Sequence, residues 1–340
     1  MRRNFLKAAL AAIGALSLGL GSAPVLAQAK TLKISHQFPG GSIDEGDFRD
    51  RMVRKFAAEV EKKTNGQLKF EIYPSGSLVK PVEQWGAMAN GSLDMSLYPL
   101  AYAGGRVPEL NIGLMPALVT SYEQGLRWKD APIGKELTRI VEEKGVKIIT
   151  WVWQAGGIAS RAKPVISPDD VKGLKFRGGS KEMDVMLKAA GASPTNVPSS
   201  EIYSAMQSGV LDAAITSSTS LISFRLHETS NFLTAGRKHS FWYMFEPLLM
   251  SKKSFDSLTP AQQKLVMEVG ASLEKFGMDA AKADDERVVD IFTKAGDKVG
   301  DMDQAAFDKW REVAKNSAWK DFEEKVKNGK QLFDMALSVK

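Results

Sequence analysis

The chain has no cysteine among its 340 residues, which excludes a disulfide framework, a thiolate nucleophile and a zinc-thiolate site. An oxidising compartment permits disulfides without requiring them, so this absence does not exclude export. Histidine is scarce, at three residues, and His36, His227 and His239 form no zinc-ligand spacing. A Ser-His-Asp hydrolase would draw on one of them, but no G-x-S-x-G elbow is present. The clearest long apolar run covers residues 8–21, at 14 residues short for a membrane span. Arg2, Arg3 and Lys7 precede it and Val25-Leu26-Ala27 follows, so residues 1–27 read as a signal peptide. The paired arginines leave a Sec leader and a twin-arginine leader both open. Without this segment the formal charge falls from +6 to +3, with 43 Lys plus Arg against 40 Asp plus Glu. That excess is too mild to argue for a nucleic-acid partner.

What is present is an α/β rhythm. Alternation predicts strands over 31–37, 68–73 and 94–99, and apolar spacing predicts helices over 47–64 and 82–90. About 310 residues exceed one ordinary core, so two lobes are expected. Residues 28–153 form the first part of lobe I and 154–240 the main part of lobe II. Residues 241–340 cross back and contribute a long helix and C-terminal helices. The apolar run 146–153 reads as one strand leading to a flexible crossing at Gln154-Ala155-Gly156-Gly157, with a return near 238–250. Within lobe II, strands are expected at 174–177 and 213–216 and helices at 181–190 and 200–208. Thr259-Pro260-Ala261-Gln262 is a capping-box helix start. A helix persisting to 295 would span roughly 55 Å at 1.5 Å per residue, long enough to brace both lobes, with Gly277 able to bend it. Phe307, Trp310, Trp319 and Phe322 read as packing residues.

The most informative stretch is 169–215. Asp170-Val171-Lys172-Gly173-Leu174-Lys175-Phe176-Arg177 places one arginine on a short apolar run between two glycine turns. Its planar guanidinium suits a carboxylate, gripped by two parallel hydrogen bonds. The blander alternative is a strand-end arginine in an ordinary ion pair. Gly191-Ala192-Ser193-Pro194-Thr195 and then Ser200-Glu201-Ile202-Tyr203 through Asp212 follow in fixed order. This order resembles the extracytoplasmic solute-binding proteins of TRAP transporters, the tripartite importers of organic acids. The resemblance implies an α/β, two-lobed periplasmic binding protein fold with hinge crossings and a long bracing helix. It implies a periplasmic receptor that is no enzyme, needs no cofactor, and delivers an organic acid to TRAP membrane permease subunits; a monomer is the default state, and a metal bridging the carboxylate is left open. It also implies that Arg177 holds the ligand carboxylate.

Two departures from the family pattern bear on the ligand. A second arginine found in some members is replaced by Gly157, with Arg161 four residues later either swinging into the cleft or pairing at the surface. The asparagine that often follows the equivalent of Asp212 is absent, so Thr216 or Ser217 offers a hydroxyl there, or Ser217 or Ser218 simply caps the next helix. Trp153 near the first crossing and Phe241 and Trp242 near the second are candidate cleft walls or core fillers. His36, ending the first strand, is a candidate contact or an ordinary buried polar residue. Gly178-Gly179-Ser180 before a helix is a weak phosphate-cradle signal. Fewer arginines and more aromatics favour an aromatic or apolar monocarboxylate over succinate. The alternatives are a C4-dicarboxylate or sugar-acid binder of the same family, an exported hydrolase, or a sensing module that docks to a receptor.

Overall fold

The structure, a computed structural model, describes residues 29–340; the expected signal peptide lies outside the described residues. Twelve strands form two sheets, five-stranded in order β2-β1-β3-β11-β4 and seven-stranded along β12-β9-β5-β8-β6-β7 with β10 on β5. Their ranges are β1 Lys30–Ser35, β2 Leu68–Tyr73, β3 Met95–Leu97, β4 Val146–Ile148, β5 Trp153–Ser160 and β6 Lys175–Arg177. The remainder are β7 Ser193–Pro194, β8 Ala213–Ser217, β9 Phe232–Ala235, β10 Tyr243–Phe245, β11 Leu248–Ser251 and β12 Lys298–Asp301. This is a two-lobed α/β architecture.

The lobe I sheet is parallel across β1, β2 and β3, as its βαβ rhythm predicts, while the returning β11 runs antiparallel between β3 and β4. Its helix Phe48–Lys63 starts at Asp47, whose side chain accepts from the Arg49 N–H. Phe48, Met52, Phe56 and Val60 recur every four residues and are all essentially inaccessible. One helix face therefore meets the sheet, each large side chain contributing ~1.5–3 kcal/mol.

The chain passes between the sheets twice, between Ile148 and Trp153 and again between Phe245 and Leu248. The expected single strand over 146–153 is thus two strands in different sheets. β5 is buried on both faces and β4 is a three-residue strand with Lys147 half-buried, so alternation over 146–153 carries little signal for the break. The expected long helix starts as read, with the Thr259–Gln262 capping box in place. It is two helices, Pro260–Ser272 and Glu274–Ala295, broken at Leu273 rather than bent at Gly277. Gly270 and Gly277 lie against the first crossing, where a Cβ would stand 2.3 Å from the Ile149 carbonyl and 3.1 Å from Val152. Glu274, just past the break, accepts the Trp151 N–H and pairs with Lys129. The helix pair is shaped to the crossing, and Ala281, Val288 and Phe292 carry its buried face along lobe II.

In the tail, Phe307, Trp310, Trp319 and Phe322 are buried, with Trp319 donating to the Pro116 carbonyl at 2.8 Å. No helix among the described residues is long and apolar enough to cross a membrane.

Candidate functional site

Parallel strands of both sheets bring their C-terminal ends to the lobe boundary, where Tyr102 meets Arg177 and Arg49 meets Ser217; open α/β sheets put their ligands in the crevice at such ends. Lobe I contributes His36 and Gln37 just past β1 and Tyr98 just past the adjacent β3. Lobe II contributes Arg177 at the end of β6 and Thr216 and Ser217 at the end of the parallel β8. Arg177 pairs with Ala214, and alternation puts Ala214 and Thr216 on one face, so Arg177 and Thr216 share a side of the sheet.

Arg177 is 1 % exposed. Its Nε donates to the Val197 carbonyl at 3.0 Å, Nη1 to the Ile215 carbonyl at 2.9 Å and Nη2 to the Tyr102 hydroxyl oxygen at 3.0 Å. Three of the five guanidinium donors are thereby used, leaving one on each terminal nitrogen. Gly179 is required by this arrangement: its φ is +95°, and a Cβ there would stand 2.7 Å from Arg177 Nη1. The glycine pair of the motif thus makes room for the guanidinium. Ser180 caps the helix Lys181–Ala189 by accepting from Met183.

No carboxylate among the described residues forms a salt bridge with Arg177. The nearest influence is Asp184, whose carboxyl is pushed up to about 6 by burial, with the Arg177 charge opposing that rise. Arg49 is equally buried yet fully compensated: it grips Asp47 at 2.7 Å, reaches Glu246 at 3.4 Å, and lies 3.6 Å above the Phe38 ring. Arg49 also donates to Ser220 at 3.0 Å and Ser217 at 3.4 Å, binding the start of a lobe I helix to lobe II. Buried charges are ordinarily paired. Arg49 follows that rule, and Arg177 has no acidic partner among the described residues.

Tyr102 connects the lobes at this point. Its oxygen receives both Arg177 Nη2 and the Ser199 N–H at 2.9 Å, so its own hydrogen stays free to donate. Sequence reasoning missed Tyr102 because its partners lie 75 and 97 residues away, beyond any local pattern. Tyr102→Phe removes one donor and one cross-lobe tie, and is expected to weaken ligand binding about three- to tenfold, measurable by titration calorimetry.

The other predicted residues divide. His36 Nε2 lies 3.1 Å from Asp50, leaving a buried Nδ1 without a partner. Burial would raise Asp50, but hydrogen bonds from His36, Arg54 and the Gly41 N–H hold it below its usual range. Asp50 is thus the acceptor, which assigns the Nε2 proton to this bond. Ser217 caps the helix Ser218–Ser223 and contacts Arg49, the helix-cap alternative. Trp242 is 1 % exposed, and its Nε1 donates to the Gly178 carbonyl at 3.1 Å. Its ring occupies the space over Gly156, so it buttresses the turn beside Arg177.

Two expected cleft walls require correction. Trp153 is wedged between Trp128 and Phe245, at ring distances of 5.2 and 5.3 Å, and against Gly125. Phe241 packs at a tilt on Trp310, with ring centroids 4.6 Å apart, beneath the C-terminal helices. Both rings are spent on core packing. Arg161 stands at the other end of the sheet from Ser217, because Ser160 pairs with Ala213 and Gly156 with Ser217; it cannot swing into the crevice. The Gly157 position has no space for a side chain, since a Cβ would meet the Thr234 carbonyl at 2.8 Å.

Buried carboxyls set a pH dependence. Burial pushes Glu182, Glu246 and Asp285 each up to about 7. Carboxyls raised in the folded state contribute stability below their ordinary values, and lose it as pH rises through about 7. The ligand-free melting temperature is therefore expected to fall by at least a few degrees between pH 5 and pH 8. Glu182→Gln, at a carboxyl with both oxygens unpartnered, should flatten that fall in a calorimetric pH series.

Comparison with known proteins identifies the family. Residues 42–325 match the family described as Bacterial extracellular solute-binding protein, family 7, and the chain belongs to that family. A solute-binding protein of Albidiferax ferrireducens is 57% identical over 310 residues, covering 91% of this chain and 92% of the relative. The crystal structure of a TRAP periplasmic solute-binding protein from Rhodoferax ferrireducens with bound malonate superposes with a TM-score of 0.90. It shares 57% identity, covering 91% of this chain and 98% of that one. The C4-dicarboxylate-binding periplasmic protein of Rhodobacter capsulatus is 29% identical, covering 85% of this chain and 84% of the relative. This chain is a TRAP solute-binding protein, a receptor of a periplasmic or extracytoplasmic family rather than an enzyme.

Proposed function

We propose that this protein works in the periplasm as a monomer, takes a small organic acid between its lobes, and presents it to TRAP permease subunits. The observation that carries this reading is the buried Arg177, with two free donors and no acidic partner among the described residues. A carboxylate accepting both N–H groups and the Tyr102 hydroxyl would complete the charge balance that Arg49 already has. Thr216 shares its face and His36 follows the lobe I strand β1, which supports both as groups that orient the remainder of the solute. Contacts from both lobes to one ligand favour the closed form, because only differential affinity shifts the balance.

An aromatic monocarboxylate loses support once Trp153 and Phe241 are packed in cores and the Trp242 N–H is engaged. The unpartnered buried polar atoms of His36, Gln37 and Tyr98 favour a small acid with a polar body. Malonate bound to the Rhodoferax ferrireducens relative is an acid of this kind. A thermal-shift screen of malonate, succinate, benzoate, phenylacetate and glucuronate tests this directly. Strongest stabilisation by a short diacid is expected; strongest stabilisation by benzoate or phenylacetate would restore the aromatic reading.

A further inference from the structure

A cavity of about 340 Å³ lies between the lobes beside the arginine, lined by Tyr102, Asn111, Gly179, Ser180, Asn196 and Pro198 among others. Two of these walls belong to the Arg177 site itself. Tyr102 accepts from its Nη2, and Gly179 sits so close that a Cβ would approach Nη1 to 2.7 Å. The cavity therefore adjoins the Arg177 guanidinium through Tyr102 and Gly179.

Asn111 is the conspicuous group in that compartment. It is 1 % exposed, and neither its amide oxygen nor its amide nitrogen has a hydrogen-bond partner. Burying an unsatisfied amide is costly, and such groups in a native fold mark a function or a missing partner. The backbone is fitted to this side chain. At Gly104 a Cβ would come within 1.8 Å of Asn111 Oδ1, so only glycine admits the amide there. Across the cavity, Ser180 begins the nine-residue helix Lys181–Ala189, whose N-terminal end favours negative charge.

We infer that Asn111 is the specificity residue for the solute's distal end, donating its amide to an acceptor oxygen of a second carboxylate across from the helix start. This rests on the reading that Arg177 anchors the first carboxylate. The amide supplies two N–H donors, and the helix start brings Lys181 to the same wall without a second arginine. Lys181, paired with Asp321 at 3.1 Å, also lines this cavity, so a neutral donor and a lysine stand in for the cation missing at Gly157. The device discriminates by leaving Asn111 unpaired when a solute lacks the distal oxygen, the asymmetry by which a buried polar group rejects an analogue.

The test compares malonate with propionate, which has the same carbon count and one carboxylate fewer, by titration calorimetry. Wild-type protein is expected to prefer malonate by at least about tenfold. Asn111→Leu, of similar size and apolar, is expected to erase most of that preference while keeping propionate affinity. Its ligand-free melting temperature should be equal to or above wild type, because an unsatisfied buried amide has been removed; a merely structural asparagine would lower it. Arg177→Ala is expected to bind neither acid. An Asn111→Leu protein that keeps the wild-type malonate preference, or a wild type that prefers propionate, overturns the inference while leaving Arg177 intact. Acid binding retained in Arg177→Ala overturns the anchor instead, and the Asn111 assignment with it.

Discussion

Arg177→Ala is expected to lower organic-acid affinity by at least about 100-fold while the protein remains folded. The free guanidinium donors offer a carboxylate two charge-assisted hydrogen bonds, each worth ~1.5–3 kcal/mol. Truncating one partner of a buried hydrogen-bonded charge pair costs ~2–5 kcal/mol in binding, and ~1.4 kcal/mol is a factor of ten. Folding responds differently. The variant loses bonds to the Val197 and Ile215 carbonyls and to Tyr102, but it also removes a buried cation that has no acidic partner. Unliganded melting temperature should therefore move little, whereas stabilisation by added acid should vanish. Arg177→Lys separates charge from shape. Lysine keeps the charge without the planar fork, so most of the affinity should still be lost.

Arg49→Ala should do the opposite, destabilising the fold by ~3–5 kcal/mol. It strands Asp47 and Glu246 in the interior and removes the cation from the face of Phe38. It also cuts the ties to Ser217 and Ser220 that join the helix start to lobe II. Burial pushes Glu246 up to about 7, so its carboxyl can take up a proton once its partner is gone. The deficit in Arg49→Ala should accordingly be smaller at pH 5 than at pH 8 in chemical denaturation. A double variant, Arg49→Met with Glu246→Leu, should recover part of the loss, because no charge is left facing an absent partner. Equal loss at both pH values would place the energy in the Asp47 contact and the Phe38 face.

The residues that could be read from sequence are those whose environment is local. Arg177 stands out because its glycine turns and following helix lie within a few residues, and Gly179 proves to be the spacing element of the guanidinium. The Thr259 cap and the buried face of Phe48, Met52, Phe56 and Val60 follow from spacing alone. Residues whose role depends on distant partners stayed hidden. Arg49 meets Glu246 across 197 positions, and Tyr102 meets Arg177 across 75. Asn111 could have drawn notice as a polar residue inside the apolar run 110–115. Trp153 and Phe241 misled because an aromatic residue near a crossing serves packing and recognition equally well. Only the rings of Trp128, Phe245 and Trp310, supplied by the fold, decide between them.

The central claim is that Arg177 is a carboxylate anchor awaiting its anion, and a crystal structure of this protein grown with malonate tests it most directly. Carboxylate oxygens are expected about 3 Å from both Arg177 Nη1 and Nη2, with the Tyr102 hydroxyl donating to the same group. A well-ordered malonate bound elsewhere in the crevice, with Arg177 still hydrogen-bonded to protein alone, would contradict it.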